Sequence, residues 1–112
     1  MKRETPFTDT ATDLHCSAVF HENPVTGGHW CGYVLLPEGH KHHGAGYDDI
    51  PASVHGGLTY AASEGDWWKI GFDCAHAGDT VANCGLEYVM RELRSLCQQM
   101  ARAGSGWDEV QS

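Results

Sequence analysis

The sequence predicts an α+β domain in which a small antiparallel sheet of three or four strands is covered on one face by a C-terminal helix. Three observations lead there. Residues 30–36 (WCGYVLL) form an apolar run closed by Pro37 and Gly39, which reads as a strand. Residues 54–62 and 66–74 flank Ser63-Glu64-Gly65 as the two arms of a hairpin would. Leu86, Val89, Met90, Leu93, Leu96, Cys97 and Met100 then recur at helical spacing.

Taken in order, residues 1–12 are polar, with Thr at 5, 8, 10 and 12, and are expected to form a flexible arm anchored by Phe7. The folded domain is expected over 13–104. Residues 14–21 carry the first strand, and Asn23-Pro24 with Gly27-Gly28 mark the turn after it. Residues 37–53 form a long connection rich in Gly and His, the kind of loop that often carries function. In the hairpin, Gly65 suits the left-handed last position of a three-residue loop, which pairs Ala62 with Asp66. Leu58, Tyr60, Trp68, Ile70 and Phe72 then share the core face, while His55 faces Asp73 and Gly57 faces Gly71 on the other. A helix over 84–103 follows, with Asn83 as N-cap and Gly104 after its end, and 105–112 are expected to be a frayed tail.

Composition narrows the class. The chain has 112 residues, one domain's worth, with 15 acidic side chains against 7 basic ones and a net charge of -8. Leu, Ile, Val and Phe supply fewer than one residue in five, but four Trp and four Tyr add large apolar area. A small aromatic-rich core follows, and a homo-oligomer is expected to bury part of the remaining apolar surface. No apolar run approaches the roughly 18 residues of a membrane helix, and the start shows no secretory signal, so no membrane association is expected. The acidic balance opposes binding to duplex nucleic acid, which relies on Lys and Arg. Five cysteines without an export signal suggest reduced thiols in a cytoplasm.

The second face of the hairpin is the candidate site. Two facing glycines, Gly57 and Gly71, leave backbone bare for close approach. His55 beside Asp73 would have its tautomer fixed and its basicity raised, which suits a general base, a ligand-binding cation or a satisfied structural histidine. Lys69 could meet phosphate. Trp67, Tyr33 and Tyr47 could stack on a base or fill a core or subunit contact. His43 stands in the adjoining loop. If the protein is an enzyme, the catalytic set is His55, Asp73 and His76. A metal, zinc first, would be held by His76, Asp79 and His40, although no C-x-x-C or H-E-x-x-H spacing is present. No G-x-S-x-G elbow, P-loop or G-x-G-x-x-G occurs.

The blocks His55-Gly56-Gly57-Leu58-Thr59-Tyr60 and Trp67-Trp68-Lys69-Ile70-Gly71-Phe72-Asp73-Cys74-Ala75-His76-Ala77-Gly78-Asp79 carry a resemblance. Together with Cys31-Gly32-Tyr33-Val34 and Gly39-His40, they resemble a family of small phage- and prophage-encoded proteins, over roughly residues 30–100. Lys41 stands where members often have proline. The family brings no activity to carry over. The resemblance implies a viral accessory role in a bacterial cytoplasm, of the counter-defence kind. The expected function is binding of a small anionic, nucleotide-type signalling ligand on the His/Asp/Gly face. The alternatives are a His/Asp-dependent, metal-assisted hydrolase of such a ligand, and an acidic inhibitor that binds a host defence protein.

Overall fold

The computed structural model describes residues 2–75 and 83–104. Five strands form one antiparallel sheet: β1 (Lys2–Thr8), β2 (His15–His21), β3 (His29–Leu36), β4 (Tyr60–Glu64) and β5 (Trp67–Asp73), in the order β1-β2-β3-β5-β4. One helix, α1 (Leu86–Gly104), lies across β3 and β2. The class is α+β, as the sequence implies. No described helix is long and apolar enough to cross a membrane.

The fifth strand is the segment expected to be a loose arm. β1 pairs with β2 from Lys2↔His21 to Thr8↔His15. Its polar composition belongs to an edge strand. Pro6 has no N–H to donate, and charged residues discourage pairing with another chain. Arg3 and Phe7 both lie on the helix side of the sheet, with the exposed Arg3 guanidinium 5.2 Å from the Phe20 ring centroid and Phe7 packed on the core. The turn to β2 closes with Asp9 N–H donating to the Leu14 carbonyl at 2.9 Å, and Asp13 takes a φ of 65°, which Asp tolerates better than most side chains.

Strict alternation sorts the sheet into two faces. Cys16 and Ala18, Gly32, Val34 and Leu36, and Trp68, Ile70 and Phe72 face the helix. Val89, Leu93, Leu96, Cys97 and Met100 of α1 meet them, each with no measurable exposure. Gly32 makes this contact possible. A Cβ there would lie 2.7 Å from the Phe72 ring and 3.0 Å from Leu93. Leu86 departs from the expected stripe and is exposed. The Gly85 carbonyl accepts the first helical bond from Val89 N–H at 3.0 Å, so the cap position is Gly85 rather than Asn83.

The hairpin register differs from the expected one. Glu64 pairs with Trp67 and Tyr60 with Gly71, so the turn is two residues, Gly65-Asp66, not three. Gly65 has φ of 60° and Asp66 is not left-handed, the pattern of a II′ turn with Gly in its first position. The shift is an odd number of residues, so β4 turns over. Ala61 and Ser63 now share the helix side with Ile70 and Trp68, and Tyr60 moves to the open face. β4 also starts late. Gly56 and Gly57 take φ of 68° and 80°, and two successive left-handed residues end an extended strand. His55 and Gly57 therefore lie in a loop, and neither faces Asp73 or Gly71.

The long connection is pinned on the helix side. Trp68 Nε1–H donates to the Ala45 carbonyl at 2.8 Å, and Ile50 is buried in the core. Gln99 then takes Ser53 N–H at 2.7 Å and returns a bond to the Ser53 carbonyl at 2.9 Å. Cys74 and Cys84 form a disulfide with a Cα–Cα distance of 6.1 Å, against the expectation that all thiols are reduced. Cys16, Cys31 and Cys97 are free and buried.

Candidate functional site

The face of the sheet away from α1 gathers polar and aromatic side chains from all five strands. β3 and β5 alternate so that Tyr33, Trp67, Lys69, Gly71 and Asp73 share it, as the sequence implies. The same alternation adds Glu4 from β1, His15, Ser17 and His21 from β2, His29 and Cys31 from β3, and Tyr60 and Glu64 from β4. Those on β2 and β3 were legible in the period-two pattern of residues 15–21 and 29–36 but do not stand out as a motif.

Tyr33 is the centre of this face. Its ring occupies the space a side chain at Gly71 would need, since a Cβ there would overlap Tyr33 Cδ1 and lie 2.7 Å from the Gly32 carbonyl. The bare backbone at Gly71 is thus filled by Tyr33 rather than left for a ligand. Lys69 Nζ lies 4.6 Å from the Tyr33 ring centroid and 3.2 Å from Glu64 Oε1. Tyr60 meets Tyr33 edge-on at 5.5 Å. Burial, with the Cys31 thiol beside it, raises the Tyr33 hydroxyl above its ordinary range. Burial likewise pushes the Cys31 thiol up to about 11. Neither group ionises near neutral pH, so both act as neutral hydrogen-bonding walls.

Two depressions flank Tyr33. One, of about 490 Å³, is walled by Glu4, His15, Ser17, Tyr33, Glu64 and Lys69. There Ser17 Oγ–H donates to Glu4 at 2.9 Å, and the His15 ring meets the Trp67 ring edge-on at 5.4 Å. The other, of about 390 Å³, is walled by His21, His29, Cys31, Tyr33, Tyr60 and Asp73. Asp73 accepts Thr59 Oγ1–H at 2.8 Å and Ala75 N–H at 3.0 Å.

The expected His55–Asp73 pair is not formed. Asp73 sits on the open face, while His55 Nδ1 lies 3.0 Å from the Tyr88 hydroxyl of α1 and its backbone N–H donates to Glu92 at 2.7 Å. His55 instead stands beside the disulfide. One ligand atom each from His55, Cys74 and Cys84 lies within 4.8 Å of the others, a group that could hold a metal. Of the expected metal set, only His40 lies within the described residues. His40 Nε2–H donates to the Met100 carbonyl at 2.7 Å and its Nδ1 accepts His42 N–H at 3.0 Å, so both ring nitrogens are engaged. His76 and Asp79 lie outside the described residues. His43 Nε2–H donates to the Asp66 carbonyl at 2.9 Å, Tyr47 is exposed in a 3-10 turn, and neither lines the two depressions.

His42 has a different consequence. It is 8% exposed, and its Nε2 has no hydrogen-bond partner among the described residues. Burial, then His40 and Lys41, hold its basicity below the ordinary 6.5. His21 is lowered in the same sense by burial, His29 and Lys2. A histidine depressed in the folded state binds its proton first in the unfolded chain. Stability is therefore full above about pH 6.5 and falls as the pH drops through the folded value. Removing the orphaned nitrogen in His42→Leu should leave stability at pH 8 within about 1 kcal/mol of wild type or above it. It should also flatten the loss between pH 6.5 and 5 in urea titrations. An unchanged slope would place that loss on other groups.

Comparison with models of known protein families, with curated proteins and with solved structures finds no match to this chain, so the site stands on its own geometry.

Proposed function

We propose that the protein is a binding module whose open sheet face takes a small planar ligand of nucleotide type, read through its ring more than through its phosphates. One observation carries this reading. Tyr33 is seated on Gly71 with Lys69 over its ring, at the wall of a depression of about 490 Å³. That volume suits a small molecule, and aromatic side chains at its edge suit stacking on a base.

The charges refine the ligand. Glu4 and Glu64 oppose the single Lys69 on this wall. A polyphosphate would meet more carboxylate than ammonium, whereas a ring bearing N–H donors would find acceptors. One anionic group can still reach Lys69 by displacing Glu64, because an exposed ion pair of this kind holds by no more than about 1 kcal/mol. With the His55–Asp73 pair unformed, binding without turnover is the reading retained. In the phage setting that the sequence resemblance implies, sequestering such a ligand would serve counter-defence.

Titration of isotope-labelled protein with adenosine and with adenosine monophosphate, followed by amide NMR, tests this. Shifts should concentrate on Tyr33, Lys69, Gly71 and His15. Tyr33→Ala should weaken both probes by about tenfold or more. Glu64→Gln should tighten the monophosphate relative to adenosine. No shift on this face with either probe, or wild-type affinity in Tyr33→Ala, overturns the proposal.

A further inference from the structure

We propose that the corner formed by His55, Cys74 and Cys84 is a redox-gated zinc site, closed as a disulfide and opened to metal by reduction. Three features of the chain carry this. The two sulfurs and one imidazole nitrogen already lie within 4.8 Å of one another. Around a tetrahedral zinc with Zn–S of about 2.3 Å, two sulfurs stand about 3.8 Å apart, so side-chain rotation alone takes the pair from bonded to ligating distance.

The cysteines are also held independently of the bond between them. Cys74 N–H donates to the Trp30 carbonyl at 2.9 Å, which extends the β3–β5 ladder by one residue. Cys84 precedes α1 by two residues and is 1% exposed. Breaking the disulfide leaves both thiols where the sheet and the helix put them. The imidazole is likewise positioned, by the Tyr88 hydroxyl at Nδ1 and by the Glu92 carboxylate on the His55 backbone. Such partners orient metal-ligating histidines. Finally, two thiolates balance the charge of Zn²⁺, so the loaded corner is neutral, as a site with both sulfurs buried requires.

The chemistry balances as follows. A dithiol reductant passes two electrons and two protons to the Cys74–Cys84 bond and becomes a disulfide itself, leaving two protein thiols. Zinc then displaces both thiol protons to solvent and takes a neutral imidazole nitrogen as its third ligand. The three ligands among the described residues leave a fourth position of a tetrahedral site. A small-molecule disulfide reverses the sequence: it takes the two electrons from the thiolates and two protons from solvent to become two thiols, the Cys74–Cys84 bond re-forms and the ion is released.

The test is a zinc titration of the full chain against a chromophoric chelator, oxidised and after phosphine reduction. The reduced protein should bind one zinc per chain at least about 100-fold more tightly than the oxidised protein. The Cys74→Ser/Cys84→Ser double variant, which keeps the three buried free thiols, should lose this binding under both conditions. His55→Ala should weaken it more than the roughly tenfold expected for Tyr88→Phe. Cobalt(II) in place of zinc should give a thiolate charge-transfer band in reduced wild type and none in the double variant, with circular dichroism reporting the fold of each. Equal zinc affinity in oxidised and reduced wild type overturns the proposal without any variant. So does reduced wild type binding no tighter than the double variant, or His55→Ala binding as wild type does.

Discussion

Phe72→Ala should lower the unfolding free energy by about 3–5 kcal/mol, the usual cost of emptying a buried phenylalanine site. The ring is 1% exposed and lies against Gly32, where a Cβ would stand only 2.7 Å away. Its neighbours are two sheet strands and α1, and none can collapse into the space without breaking ladder or helix bonds. A domain of this size holds only about 5–15 kcal/mol in total, so the variant keeps a fraction of the wild-type margin. Urea denaturation should show a lower midpoint at unchanged slope. Gly32→Ala should also destabilise, by overlap rather than by void, and Phe72→Leu added to it should recover part of the loss. A Phe72→Ala cost below about 1 kcal/mol would mean that the ring is not packed in this way.

Oxidation of Cys16 and Cys97 to a second disulfide should raise stability by about 2–4 kcal/mol. Their sulfurs lie 3.0 Å apart across a sequence separation of 81, one on β2 and the other on α1. The two thiols share a hydrogen bond, which lowers Cys16 and raises Cys97. Both are nearly fully buried, so the reaction proceeds through local opening and should be slow with a two-electron oxidant such as diamide. Intact mass should fall by two hydrogens, peptide mapping should place the link at 16–97, and the denaturation midpoint should rise. A link that forms while the midpoint falls would show that closing it distorts the sheet–helix interface.

The legible part of the fold rested on long patterns. Trp68, Ile70 and Phe72 against Lys69, Gly71 and Asp73 settle the two faces of β5 whatever their partners are. The stripe from Val89 to Met100 needs nothing beyond helical spacing. Turn length is a weaker signal. Gly65 fits the last position of one loop and the first of another, and the choice inverts every side chain of β4, so Tyr60 joined the site and His55 left it. β1 was obscure because an edge strand is selected for charge and proline, which also mark a disordered arm. The disulfide had no local signature either. Its cysteines end a strand and precede a helix, and only the packing of one against the other brings them to His55.

The position of β5 between β3 and β4 sets an order on synthesis. The first three strands leave the ribosome as a meander whose outer edge, at β3, has no partner. That edge stays bare while the connection and β4 emerge, because the neighbour it needs is the later arm of the hairpin. The hairpin must close on its own turn and then dock with its second arm inward, and α1 arrives last to cover the apolar side. Until Trp67–Asp73 are translated, β3 offers unpaired backbone beside Val34 and Leu36 to any other nascent strand. This interval is the chain's main exposure to misassembly.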